Sequence, residues 1–214
     1  NLEIGASSLA ASTVVGDINL AQSGNLSVDG AMRAGGAIRL TGDSHLTVSS
    51  PIHAAQEVNL KSNGGSGSLH LLPNAHVASA NRSVNLFADA AVFAELGAHM
   101  ENAESLSIAT GAAALAPGNL HRIRLLGAIS GGPLQLTSGT QGDSLELTIT
   151  DLTGGFGNPL EVMLSQFGTL HLDDTRSSTG RAYAVMQDHL DTDVAEVLLG
   201  EVRSVVMKLG AGDD

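Results

Sequence analysis

One short apolar pattern decides the fold: it occurs first in Gly16-Asp-Ile-Asn-Leu20, Asn25-Leu-Ser-Val28 and Gly30-Ala-Met32, and returns in Ala37-Ile-Arg-Leu40, Leu46-Thr-Val48 and Pro51-Ile52. A third pass begins at Glu57-Val-Asn-Leu60, and Ile18, Ile38 and Val58 lie 20 residues apart. A fixed period with three short apolar segments per pass is typical of a solenoid, in which each pass is one coil. The sequence therefore predicts an all-β, three-sided parallel β-solenoid.

The three segments of each pass form three columns of apolar residues. Alternation with period 2 places one side of a strand inward and the other outward. The first column is predicted to contain Ile18/Leu20, Ile38/Leu40, Val58/Leu60, Val84/Leu86, Leu106/Ile108 and Leu134/Leu136. The second contains Leu26/Val28, Leu46/Val48, Leu69/Leu71, Val92/Ala94, Ala113/Leu115 and Leu145/Leu147; the third contains Met32, Ile52, Val77, Met100 and Ile129. The residues between the first-column pairs, such as Asn19, Arg39 and Asn59, are polar and are predicted to face outward.

The pattern weakens after Asp151, where the sequence Thr153-Gly-Gly-Phe-Gly157 interrupts it. Val162, Val185 and Val205 are predicted to extend the first column, which gives about nine coils. We expect residues 1–152 to form a β-solenoid, and residues 153–214 to form either further coils or a small β-rich C-terminal repeat. Two alternatives are a β-sandwich for residues 14–152 and a helix within the Ala- and Glu-rich segment 88–104.

Composition excludes several classes of protein. The formal charge is −12 over 214 residues, whereas nucleic acids and anionic membranes are bound by basic patches. The longest apolar run, Ala112–Ala116, is far too short to span a bilayer. The absence of cysteine excludes a disulfide framework but is compatible with an extracellular location. We therefore expect no nucleic-acid partner and no membrane insertion.

The repeats resemble a known family at Gly16-Asp-Ile-Asn-Leu-Ala21 and Gly35-Gly-Ala-Ile-Arg-Leu40. These segments are similar to the filamentous-haemagglutinin-like large exoproteins of bacteria, over about residues 14–136. The resemblance implies a right-handed parallel β-helix, and a structural or adhesive rod in an extracellular or cell-surface protein. It also implies a glycan or protein on a host or neighbouring cell as partner. End-to-end assembly into a fibre is an alternative function, because the cut ends of a solenoid expose strand edges.

The tail of the chain has a second resemblance, in Gly200-Glu-Val-Arg-Ser-Val205 and Leu209-Gly-Ala-Gly-Asp-Asp214. These segments are similar to repeats of giant bacterial surface proteins, and the last one is similar to the first half of a calcium-binding nonapeptide. Asp213 and Asp214 provide the oxygen ligands that Ca²⁺ takes, but a complete site of this kind needs a second copy one coil away. We expect at most weak calcium binding at these two residues.

An enzymatic alternative depends on the acidic residues between positions 173 and 193. β-Helix polysaccharide lyases and hydrolases place paired acids together with Arg or His on one face of the solenoid. The candidate residues here are Asp173, Asp174, Asp188, Asp191 and Asp193, with His171, Arg176, Arg181 and His189. Acidic loops in an acidic protein are usually solvated, so the sequence predicts no catalytic residues. The eight histidines are predicted to be surface or corner residues.

Overall fold

The chain forms a β-solenoid. The computed structural model describes residues 9–63, 68–88, 93–96, 99–102, 106–110, 120–125, 129–131, 134–137, 144–149, 160–163, 168–173, 182–192, 196–199 and 202–209. All the regular secondary structure in these ranges is β-strand, and within them no helix is long and apolar enough to cross a membrane. The prediction of an all-β solenoid is confirmed, while the right-handed winding and the number of coils stay predictions.

The strands form three sheets, one for each apolar segment of the repeat. We call them face 1, face 2 and face 3. Face 1 consists, in spatial order, of β2 (Ile18–Gln22), β5 (Ile38–Gly42), β8 (Val58–Ser62), β11 (Val84–Ala88), β14 (Leu106–Thr110), β17 (Leu134–Thr137), β19 (Leu160–Met163), β23 (Glu196–Leu199), β22 (His189–Thr192) and β21 (Tyr183–Val185). Face 2 consists of β3 (Leu26–Val28), β6 (Leu46–Val48), β9 (Ser68–Leu71), β12 (Phe93–Leu96), β15 (Leu120–Leu125), β18 (Ser144–Ile149), β20 (Gly168–Asp173) and β24 (Val202–Lys208). Face 3 consists of β1 (Ala11–Thr13), β4 (Met32–Ala34), β7 (Ile52–Ala54), β10 (His76–Ser79), β13 (His99–Asn102) and β16 (Ile129–Gly131).

The first and third columns have the predicted register. Ile18 pairs with Ile38, Ile38 with Val58 and Val58 with Val84, all in parallel, and the ladder continues to Leu134. On face 3 the parallel ladder follows the predicted residues Met32, Ile52, Val77, Met100 and Ile129. Strands pair in this way because every coil places the same segment of the repeat at the same height on the same side.

The core is aliphatic and continuous along the stack. Ile38, Val58, Leu60, Val77 and Met100 are among its fully or almost fully buried side chains, and the buried residues of the three faces form one cluster. Each buried Val, Leu, Ile or Met side chain contributes about 1.5–3 kcal/mol of transfer free energy. In the part of the chain whose burial the structure describes, the fully buried apolar side chains are aliphatic or Met, and each coil adds its own share of stability.

Glycine is required where neighbouring coils touch at a corner. Gly16 has a φ of 108°, a region that favours glycine. A Cβ atom on Gly35 would lie 2.0 Å from the backbone oxygen of Val14, so only glycine allows this approach. Backbone hydrogen bonds then connect the corners one period apart, as between the Gly36 N–H and the Gly16 carbonyl at 2.8 Å.

The predicted register of the second column is wrong beyond Leu71. Leu69 and Leu71 pair with Ala94 and Leu96 rather than with Val92 and Ala94. The next strand is β15, in which Ile123 and Leu125 continue the column in place of Ala113 and Leu115. Leu147 and Ile149 follow, in place of Leu145 and Leu147. A shift by two residues preserves the alternation of inward and outward positions, so period 2 alone does not fix the register.

The C-terminal part of the first column is predicted only in part. Val162 extends face 1, as predicted, but it pairs with Leu136 rather than with Leu134. Val185 does not stack next, because β21, β22 and β23 pair antiparallel to one another, and Val205 pairs with Leu170 on face 2. Strands β12 and β13 occupy the segment for which a helix was the alternative. Faces 1 and 2 continue past residue 152, and the division into 1–152 and 153–214 stays a prediction.

Candidate functional site

An outward-facing groove on face 1 presents an ordered polar surface. Arg39 lies between two carboxylates of neighbouring coils: its Nη1 is 2.9 Å from Asp17 Oδ2, and its Nη2 is 2.5 Å from Glu57 Oε1. All three side chains are about 36–44% exposed. Since Asp17, Arg39 and Glu57 precede or occupy successive strands, the stacking of coils itself assembles this charge triad.

The groove beside this triad has a volume of about 410 Å³. Its polar lining comes from the outer side of four successive coils: Asp17, Arg39, Gln56, Glu57, Arg82, Ser83 and Asn85. Asn85, one of the lining residues, donates a hydrogen bond of 2.9 Å from its Nδ2 to Asn59 Oδ1. Guanidinium, carboxylate and amide groups together offer both donors and acceptors, so the groove is suited to a hydrogen-bonding ligand such as a polyol or a polypeptide backbone.

Hydrogen bonds and neighbouring charges in the groove determine the ionisation of Asp17 and Arg39. The Ala37 N–H donates a hydrogen bond of 2.8 Å to Asp17 Oδ1, and Arg39 donates one to Asp17 Oδ2. These two interactions hold the pKa of Asp17 below its ordinary value, and the hydrogen bond from the backbone has the larger effect. The hydrogen bonds to the two carboxylates raise the pKa of Arg39, and the one to Glu57 has the larger effect. Asp17 and Arg39 therefore stay ionised at neutral pH.

Only part of the acidic cluster predicted from the sequence is brought together. His189 Nδ1 lies 2.8 Å from Asp188 Oδ1, and His189 Nε2 lies 3.6 Å from Asp191 Oδ2. The Asp188 side chain is 84% exposed, and the hydrogen bond from His189 is the main cause that lowers its pKa. These residues belong to or adjoin β22 on face 1, whereas His171 and Asp173 belong to β20 on face 2. Asp174, Arg176, Arg181 and Asp193 lie outside the described residues.

The predicted calcium ligands, Asp213 and Asp214, also lie outside the described residues, so weak calcium binding there stays a prediction. Two other histidines form a pair that the sequence did not indicate. His45 Nδ1 and His70 Nε2 lie 2.7 and 2.8 Å from the same hydroxyl, Ser68 Oγ, on face 2. Here the coil period brings together residues that are 25 positions apart.

A row of three histidines on face 3 is the clearest feature that the sequence reasoning missed. The ring centroids of His53 and His76 are 4.8 Å apart, and those of His76 and His99 are also 4.8 Å apart, both in edge-to-face arrangement. The pKa of His53 is lowered mainly by burial of its ring. The charges of His76 and Arg33 lower it further. The signal was present: the three histidines follow one another at intervals of 23 residues, close to one coil.

The fold and these surfaces define a parallel β-solenoid protein with polar outer faces. Comparisons of the chain with protein-family models, with curated proteins and with solved structures find no match. The function of the chain is therefore inferred from its own geometry.

Proposed function

We propose that the chain is a rigid segment of a bacterial surface or secreted protein, which spans distance and presents an adhesive outer face. The observation that carries the proposal is the unbroken parallel ladder of face 1 from Ile18 to Val162. A stack of this kind extends by about 4.8 Å per strand. Its length is set by the number of coils rather than by loops, which is the property that a molecular spacer needs.

The groove on face 1 is the proposed contact surface. It is polar, lies on the outside of four successive coils, and contains an arginine held in place by two carboxylates. We assign to it a glycan or protein on a host or neighbouring cell, recognised by hydrogen bonds to hydroxyl or amide groups. The net negative charge of the chain favours a neutral or positively charged partner over an anionic one. The proposed location of the chain is extracellular or on the cell surface.

The experiment is a binding measurement on a panel of neutral and charged glycans and on intact cells, with the chain immobilised. We expect Arg39→Gln to weaken binding by roughly tenfold, because a hydrogen bond to a charged group is worth about 1.5–3 kcal/mol. The matched control is Arg33→Gln, which removes an exposed arginine from face 3. Equal loss in the two variants, or binding to no member of the panel and to no cell, would contradict an adhesive role for this groove.

A further inference from the structure

We propose that His76, His99 and Glu101 on face 3 form a binding site for a divalent transition metal of the zinc class, which joins neighbouring coils of the solenoid. This site is independent of the groove on face 1 and of the adhesive role proposed for it. Its ligands come from β10 and β13, two strands that pair in parallel.

The register of the sheet brings the three side chains together. His76 pairs with His99, and Glu101 lies two positions further along the same strand as His99. Residues i and i+2 of a strand point to the same face. The three side chains point to the outer face, because their neighbours in sequence, Val77 and Met100, are buried. One candidate ligand atom from each of the three residues lies within 4.8 Å of the other two.

The distances are close to those of a metal site. His76 Nε2 lies 3.4 Å from Glu101 Oε2. Tetrahedral zinc, with bonds of about 2.0–2.1 Å, places its ligand atoms about 3.3 Å apart. The His76–Glu101 pair therefore already has the required separation. His99 and Glu101 are exposed, so their side chains can rotate to close the remaining distance of about 1.5 Å.

His76 supplies a second, independent observation. Its Nε2 atom is shielded from solvent, yet it makes no hydrogen bond. Shielded polar atoms are almost always paired, because an unpaired one loses the hydrogen bond that it makes with water. This nitrogen points toward the Glu101 carboxylate, and a bound cation would satisfy both groups at once. The His53 ring packs edge-on against His76 and restricts its rotation.

The set of donors indicates which metal fits. Two imidazoles and one carboxylate are ligands for Zn²⁺, and imidazole equally suits Cu²⁺ and Ni²⁺, whereas Ca²⁺ and Mg²⁺ take oxygen ligands. Three protein ligands leave a fourth position for water. Because the ligands belong to two successive coils, the bound ion acts as a cross-link between β10 and β13.

The test is a titration of the whole chain with Zn²⁺, followed by the ¹⁵N resonances of the histidine rings and by calorimetry. We expect one site per chain, large shifts of the His76 and His99 ring nitrogens, and a higher unfolding temperature with zinc. His99→Ala and Glu101→Gln should each weaken binding by about tenfold or more, since loss of even an indirect support of a metal ligand costs about 10–100-fold. Both change exposed residues, so the fold should persist, which circular dichroism checks.

The matched control is His45→Ala, which removes an exposed histidine of the His45–Ser68–His70 group on face 2. It should leave the affinity for Zn²⁺ unchanged. The proposal is overturned if the His76 and His99 resonances do not move, if His45→Ala weakens binding as much as His99→Ala does, or if zinc binds only between two chains.

Discussion

Val58 and Asn59 are neighbours in sequence but lie on opposite sides of the solenoid wall. The Val58 side chain is fully buried and stacks between those of Ile38 and Val84. The Asn59 side chain faces outward, where it accepts a hydrogen bond from Asn85. The same alternation in every coil separates the aliphatic core from the polar outer faces.

The opposite orientations of Val58 and Asn59 predict that an aspartate lowers the free energy of unfolding by different amounts at these two adjacent positions. Val58→Asp would bury an unpaired carboxylate and lower the free energy of unfolding by roughly 3–5 kcal/mol. Asn59→Asp keeps an acceptor for Asn85 and should cost less than about 0.5 kcal/mol. Denaturant unfolding measures both, and equal midpoints for the two variants would contradict the assignment of inward and outward positions.

The 20-residue period predicts that one whole coil can be removed. Deletion of residues 36–55 would bring Val58 onto Ile18 in the place of Ile38, and all three faces would keep their register. Because a solenoid coil contacts mainly its two neighbours, the shortened chain should fold and unfold cooperatively, with a lower stability. The control is deletion of residues 36–45, which removes half a coil. If that variant folds as well as the first, coils are not the unit of the structure.

The ionised carboxylate of Asp17 is expected to stabilise the fold by an amount that depends on pH. Its pKa is lowered in the folded chain by the hydrogen bonds from the Ala37 N–H and from Arg39. The folded state therefore favours the ionised carboxylate. This contribution is fully present above the ordinary pKa of 3.8, and is lost as the pH falls from there through the lowered pKa of the folded state.

The measurement is the free energy of unfolding as a function of pH for the native chain and for Asp17→Asn. We expect the native chain to lose stability more steeply than Asp17→Asn as the pH falls below 3.8. Asp43→Asn removes an exposed acid from a neighbouring corner and is the control for loss of charge alone. Parallel curves for the native chain and Asp17→Asn would show that these hydrogen bonds do not stabilise the fold.

The fold was predictable from sequence where the repeat is short and regular. Between Ile18 and Leu60 the period is constant, so local alternation and the position of each strand agree. Insertions after Ser62 break the constant period, so that Leu46 and Leu69, which pair on face 2, are 23 residues apart. Beyond Leu71 the apolar alternation allows two registers, and local alternation does not distinguish Ala94 from Val92 as the partner of Leu69.

The candidate sites were less predictable, because they consist of residues from different coils. Asp17, Arg39 and Glu57 are separated by 18–22 positions, and each looks like an ordinary corner or surface residue by itself. The histidines at 53, 76 and 99 do not have the spacing of a helical metal motif. In a solenoid the informative interval is one coil, and it becomes known only when the register is known.

The coils of the solenoid stack along one axis, and distances between pairs of spin labels measure this stacking. The chain contains no cysteine, so pairs of labels can be introduced at Asn19 with Ser107, with Gln135 and with Glu161. These positions share one row of face 1, four, five and six strands from β2. At about 4.8 Å per strand, double electron–electron resonance should give distances near 19, 24 and 29 Å, which increase in equal steps. Distances that do not increase along this series would contradict the stacked solenoid.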